Sequence, residues 1–344
     1  MSSSRSSWAY TLPAALLLMA PFDILASLGM DIYLPVVLAM PELLGTTPAV
    51  IQLTLSLYML LLGAGQLLFG PLSDRIGRRP VLLTGAALFV LASTAAALSS
   101  SAWAFVGFRV LQALGASATL VALFASVRDV YADRPEGVVI YSLFSSILAF
   151  VPALGPIAGA LIARAGGWQA IFLSLAGMGL LAWIHALLRW QETRPVKPLQ
   201  SQQSALAVFK SPAFWVYTLG FSTGMGTFFV YFSTAPRVLI GQAAYSEMSF
   251  SLAFASVALV MIATTRLSKT FVARWGTAGS LKRGMGLIAL AALLLATGQR
   301  LLEPTFASFI LPMWLAAIGI VMTVSVTANG AFAQFNDVAG CAVA

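Results

Sequence analysis

Charge is what this sequence has least of. Asp, Glu, Lys and Arg together make up 9% of its 344 residues, against about 25% in an ordinary soluble domain. A solvated surface for a chain of this size cannot be built from so little. Cysteine is nearly absent: Cys341 stands alone, which excludes an internal disulfide and any multi-cysteine metal site. Histidine is nearly absent too. His185, the only one, lies near the end of an apolar run and reads as a packing residue. Neither a metal-ligand cluster nor a nucleophile with a histidine partner is therefore at hand. No catalytic residue, metal or cofactor is expected, and an intramembrane enzyme is set aside.

What is there is apolar. Hydrophobic residues make up 60% of the chain, and runs of the roughly 20 residues that a helix needs to cross the hydrocarbon layer recur in series. In lipid such runs must be helical, because no water is present to satisfy the backbone N–H and C=O groups. The expected fold class is therefore all-α integral membrane, with about ten spans at 11–39, 49–70, 80–99, 102–126, 138–163, 168–189, 213–237, 247–265, 284–299 and 306–330. The first run is too long and too acidic for a cleaved signal peptide and reads as a retained helix.

A net charge of +8 would suit nucleic acid if it lay on one amphipathic surface. Instead the basic residues sit in short loops between apolar runs, so no nucleic-acid partner is expected. With the N-terminus inside, one side holds Arg5, Arg75, Arg78, Arg79, Arg128, Arg134, Arg189, Arg194, Lys197, Lys210, Arg266, Lys269, Arg274, Lys282 and Arg283, fifteen in all, and the other holds only Arg164, Arg237 and Arg300. Positively charged loops stay in the cytoplasm, so the count supports the alternation of spans and cytoplasmic termini. Trp103, Trp168, Trp190 and Trp215 fall near span ends and read as headgroup-level anchors.

The longest polar stretch, Gln191 to Pro212, contains Pro195, Pro198 and a Ser/Gln run and reads as a linker. It separates a half at 1–190 with six spans from a half at 213–344 with four, after which Asn336 and Asp337 begin a further segment.

Three stretches carry mechanism. After the second span comes Gly70-Pro71-Leu72-Ser73-Asp74-Arg75-Ile76-Gly77-Arg78-Arg79-Pro80. Gly70 and Gly77 there permit close helix approach and a tight turn, and Asp74 is placed to meet a helix N-terminal dipole or to pair with an arginine. This loop matches the signature loop of the major facilitator superfamily. In the fourth span, Phe108-Arg109-Val110-Leu111-Gln112-Ala113-Leu114-Gly115 resembles that family's arginine-containing helix motif. An arginine at such depth costs about 2.5–3.5 kcal/mol on insertion scales unless it is paired or hydrated. In the fifth span, Val151-Pro152-Ala153-Leu154-Gly155-Pro156-Ile157-Ala158-Gly159 resembles its glycine-proline antiporter motif, in which Pro152, Gly155, Pro156 and Gly159 make a closely packed helix that blocks leak. Ala160 stands where the family often has a second glycine.

The first span carries Asp23 and Asp31, and acids inside a membrane are functional candidates by default. At about 1.5 Å and 100° per residue they sit roughly 12 Å apart in depth on one broad face. On depth alone Arg109 is expected nearer Asp31. Burial and a neighbouring guanidinium act on a carboxyl's proton affinity in opposite senses, so alternating exposure of such a centre would load and release a proton. A weaker echo of the signature loop, Ala273-Arg274-Trp275-Gly276, follows 199 residues after the first copy and has lost its acid.

Asp31-Ile32-Tyr33-Leu34-Pro35 with Pro41, and Arg128-Asp129-Val130-Tyr131, look like the multidrug-resistance proton-antiporter branch. Trp8 to Asp31, Leu72 to Arg79, Arg128 to Val139 and Ala213 to Val238 closely resemble the chloramphenicol and florfenicol exporters, a resemblance that covers essentially the whole chain. It implies twelve spans in two six-helix halves around a drug cavity, of which ten are present, the last two helices being absent. It further implies proton-coupled efflux of amphenicol antibiotics from a monomer in the bacterial inner membrane, with a small-molecule drug, protons and the lipid bilayer as partners. Asp23, Asp31 and Arg109 would form the proton and substrate centre, with Gly70, Asp74, Arg75, Gly77, Arg78 and Arg79 as the gating loop. The alternatives are an exporter of another amphiphilic drug or metabolite and an inactive truncated transporter.

Overall fold

The computed structural model describes residues 8, 10–131, 134–194, 211–301, 303 and 305–331. Arg5, Lys197, Lys210, Asn336, Asp337, Cys341 and linker positions 195–210 lie outside them. All regular structure among the described residues is helical. The order is α1 (Leu12–Asp31), a 3-10 turn (Leu34–Val36), a short α2 (Met40–Leu43), α3 (Pro48–Ile76), α4 (Arg78–Ala97), α5 (Ala102–Tyr131) and α6 (Pro135–Arg189). There follow α7 (Pro212–Pro236), a π turn (Arg237–Gln242), α8 (Glu247–Arg266), α9 (Ser268–Leu301), a second π turn (Phe306–Ile310) and α10 (Leu311–Ala331). Eight helices among the described residues have the length and apolar composition to cross a membrane.

Proline opens α1, α3, α6 and α7 in the first turn, where its missing N–H has no intrahelical partner to lose. Glycine ends or bends helices. Helix α6 leaves helical geometry at Gly166 and Gly167, the latter at φ 73°, so the expected spans 138–163 and 168–189 lie on its two arms. Helix α9 breaks at Gly276, φ 66°, and the expected span 284–299 lies on its second arm. The expected first span, 11–39, is shorter as a helix: α1 stops at Asp31 and the chain continues through the 3-10 turn.

The chain forms two compact units, Met1–Pro198 and Leu199–Ala344. In the first, α5 is the central helix, packed by α1, α3 and α4, while α6 packs on α1 and α4. In the second, α10 is central and packs against α7, α8 and α9. Large apolar side chains such as Leu60, Leu67, Leu68, Leu91, Leu181 and Leu188 point outward, a surface unsuited to water and suited to lipid. Two tryptophans differ from the anchor reading. Trp168 is buried against Phe105 and Phe172, and Trp190 against Trp8 and Phe22, so aromatic partners inside the unit cover both rings. Trp103 is exposed, as an anchor would be.

Helices α4 and α5 meet backbone to backbone. A Cβ added at Gly115 would lie 2.6 Å from the Gly85 carbonyl oxygen, whereas at Gly107, on the same helix, it would meet nothing within 4 Å. The second unit repeats the device between α9 and α10, where Gly284 and Gly319 face each other's carbonyls at 2.8 and 2.7 Å. Without a hydrophobic driving force between helices in lipid, such close van der Waals approach is what holds them together. Gly115→Ala is therefore expected to destabilise the detergent-solubilised protein by about 1–3 kcal/mol. Gly107→Ala should instead gain about 0.5–1 kcal/mol from helix preference. Thermal unfolding of both variants checks this, and shifts of the same sign and size would remove the close-packing account.

Candidate functional site

Arg109 sits two turns into α5 and is fully buried. Its Nη1 donates to the Gly29 carbonyl of α1 at 2.8 Å and to Gln112 Oε1. Gln112 in turn donates through Nε2 to Ser93 Oγ of α4 at 2.7 Å. The guanidinium carbon lies 4.6 Å from the Tyr33 ring centre, 4.5 Å from that of Tyr58 and 5.6 Å from that of Phe172, a cation held over π faces in a dry environment. Tyr58 donates to the Ala26 carbonyl at 3.1 Å, and Tyr33 bonds to the Thr54 hydroxyl. Gly29 has to be glycine, since a Cβ there would strike the Tyr58 hydroxyl at 2.3 Å.

Asp31 is buried at the last residue of α1, and Asp23 is buried two turns earlier. Neither forms an ion pair with Arg109 among the described residues. Arg109 Nε and Nη2, Asp31 Oδ1 and Asp23 Oδ2 are all buried without a hydrogen-bond partner. The guanidinium meets α1 two residues before Asp31, on the side that depth favoured, through a carbonyl instead of the acid.

The antiporter-type stretch reaches the same place from the other side. A Cβ at Gly155 of α6 would come within 3.1 Å of Asp31 Cβ and 3.3 Å of Leu28 Cδ2, and at Gly159 within 1.7 Å of the Ile32 carbonyl oxygen. Pro152 and Pro156 lie buried in the same arm. Two sequence motifs far apart in the chain thus converge on one turn of α1.

The signature turn forms a second cluster, about 30 Å along α5 from Arg109 by helix rise. Arg78, the first residue of α4, is buried, and its guanidinium joins three groups. Nε donates to Asp129 Oδ2 at 2.8 Å, and Nη1 lies 2.8 Å from Ser73 Oγ and 2.6 Å from Asp74 Oδ1. Asp129, on α5, is 3% exposed, whereas Asp74 is 60% exposed. Gly77 between the helices has φ 108°, a region that glycine alone enters freely. Arg79 Nη2 donates to the Leu187 carbonyl at 3.0 Å, and the Arg75 carbonyl accepts from the Arg194 guanidinium. At Gly70 an added Cβ would meet nothing within 4 Å among the described residues, whereas Gly77 makes the turn.

The sequence expectations do not include Tyr58, Gln112, Asp129 or Glu192 among the site residues. Gln112 lies three residues after Arg109, hence on the same helical face, and Asp129 is the one acid in α5; both signals were present. Nothing local marks Tyr58 or Glu192.

A helical membrane protein whose buried arginine, buried acids and glycine-hinged ion-pair turn all sit in one unit has the parts of a transporter. The chain matches the Major Facilitator Superfamily over residues 21–342 and belongs to that family of membrane transporters. It is 51% identical over 347 aligned positions to a chloramphenicol resistance protein of Pseudomonas aeruginosa, covering 100% of this chain and 82% of that one. It is 30% identical over 322 positions to the multidrug resistance protein MdtL of Shigella flexneri, covering 91% and 79%. Among solved structures it resembles a bacterial homolog of the human lysosomal transporter Spinster, inward-facing and occupied, with TM-score 0.76 and 16% identity over 96% of this chain and 76% of that one. It also resembles a D-xylose–proton symporter, with TM-score 0.71 and 16% identity over 93% and 82%. At such identities these structures speak for the fold alone.

Breaking a buried ion pair costs about 3–5 kcal/mol, against about 0–1 for an exposed one. Asp129→Asn is therefore expected to lower the unfolding midpoint of the solubilised protein well below that of Asp74→Asn. Equal shifts would place the two acids on the same footing and refute the burial argument.

Proposed function

We propose that this protein exports amphenicol antibiotics, chloramphenicol and florfenicol, across the bacterial inner membrane in exchange for protons. The observation that carries this is the unpaired state of the buried centre: a guanidinium and two carboxyls, each with an oxygen or nitrogen lacking a hydrogen-bond partner. Buried charges kept for stability alone are paired, since an unmade bond there is costly. A centre left open suits partners that come and go, a proton on an acid and a polar drug group on the arginine. The 51% identity to a protein named for chloramphenicol resistance supports the drug class; the multidrug relatives favour a second reading, export of other amphiphiles on the same scaffold.

In this reading the protein is a monomer with its N-terminus cytoplasmic. The halves are 1–190 and 213–344, joined by 191–212, and the Asp74–Arg78 pair opens and closes as the latch. A proton moving down the membrane potential releases about 2.3 kcal/mol per 100 mV, enough for roughly a fifty-fold drug gradient per proton. Gly155 and Gly159 let α6 press on the turn that bears Asp31, so the position of that carboxyl follows the packing of α6.

Neutralising Asp23 or Arg109 is expected to abolish phenicol resistance, and Asp31→Asn to retain drug binding while losing proton coupling. Arg109→Lys should keep less activity than charge alone implies, because an ammonium lacks the planar fork. Drug accumulation with and without an uncoupler, at matched membrane expression, is the assay. Full uncoupler sensitivity in Asp31→Asn, with only drug affinity lost in Asp23→Asn, would overturn the assignment. Gly155→Leu should leak protons or uncouple transport, read as dissipation of an imposed pH gradient in vesicles; an unchanged gradient would reduce the motif to ordinary packing.

A further inference from the structure

We propose that Glu192 is a positioning residue of the transport cycle, whose carboxylate caps α4 and clamps the root of the linker between the halves onto the signature turn. Glu192 follows α6, in the stretch whose composition suggests only a solvated connection. Its Oε1 accepts from the backbone N–H groups of Arg78 at 2.8 Å, Thr193 at 3.0 Å and Arg194 at 2.9 Å, and its Oε2 accepts from that of Arg79 at 3.2 Å. The first N–H groups of a helix have no intrahelical partner, and a carboxylate is the group best suited to them.

Two further bonds hold the same stretch, and another ties α4 to the end of α6. The Arg194 guanidinium donates to the Arg75 carbonyl, Arg79 Nη2 to the Leu187 carbonyl at 3.0 Å, and Thr193 Oγ1 to the buried Ser126 Oγ at 3.1 Å. Residues 192–194 are thereby tied to the end of α3, the start of α4 and the side of α5. Arg78 is the point at which these bonds meet the latch. Asp74 and Asp129 hold its side chain while Glu192 holds its main chain. When the exposed Asp74 contact opens, the cap keeps the start of α4 in register for the pair to re-form.

The second copy of the turn isolates the effect. Gly276 has a left-handed backbone like Gly77, yet a Cβ there would meet nothing within 4 Å, whereas at Gly77 it would strike Glu192 Oε2 at 2.4 Å. Among the described residues, then, the backbone at Gly276 forms without the contact that Glu192 makes at Gly77.

The flux arm of the test rests on the export reading. Wild type, Glu192→Ala and Glu192→Gln are compared in everted vesicles at matched protein, with chloramphenicol and in parallel with ethidium as probe, so that failure of the amphenicol reading appears as loss of the first flux alone in the wild type. Glu192→Ala is expected to lower the maximal rate at least about five-fold while KM stays within about two-fold, the mark of a residue that does not touch drug. Glu192→Gln, which keeps a neutral acceptor, should fall between. Amide exchange in peptides covering 77–84 should quicken about ten-fold in the alanine variant and stay unchanged across α5. An unchanged rate in Glu192→Ala would overturn the proposal, as would a loss of rate accompanied in both variants by faster exchange throughout the first unit.

Discussion

The helices around the first unit's centre pack on an arginine buried in a membrane helix that pairs with no carboxylate among the described residues. Arg109 is held by a backbone carbonyl, a side-chain amide and the faces of two phenol rings. Together these offset the cost of dehydration without neutralising the charge. Each of those partners comes from a different helix or turn, so the charge dictates how α1, α3, α4 and α5 pack. Gly29 must lack a side chain for Tyr58 to reach past it, and Gln112 must bridge to Ser93 to keep its own amide satisfied. Among the described residues the guanidinium forms no ion pair with either acid of α1.

The two units use the same backbone devices and different chemistry. Both break a helix at a left-handed glycine, Gly77 and Gly276, and both bring helices into contact through facing glycines, Gly85 with Gly115 and Gly284 with Gly319. Yet Asp23, Asp31, Arg78, Arg109 and the Asp129 carboxylate, the buried charged groups among the described residues, all belong to the first unit. The core of the second unit includes the buried rings Tyr231, Phe250, Phe254 and Phe309.

How much of this the residues announced on their own depends on the range of the interaction. Span positions, helical class and family motifs are local properties: length, apolarity and fixed spacing within about 20 residues. Asp23, Asp31 and Arg109 stood out because each is a charge inside an apolar run, a conflict visible without any neighbour. Gly155 and Gly159 stood out as a motif, but the reason for their size did not, because it is the Asp31 and Ile32 backbone more than a hundred positions away.

Sequence alone thus determined that the chain is helical and membrane-embedded, where its charges would be trapped, and where glycine would turn it, since the bilayer and the backbone impose those outcomes residue by residue. Tertiary structure alone decided who meets whom. Arg109 binds a carbonyl instead of Asp31, Arg78 pairs with the buried Asp129 as well as with the exposed Asp74, and Glu192 closes over Gly77. The physical reason is that such partners are set by how helices approach and rotate against one another. That is fixed by close contacts between residues remote in the chain, which no pattern of spacing records.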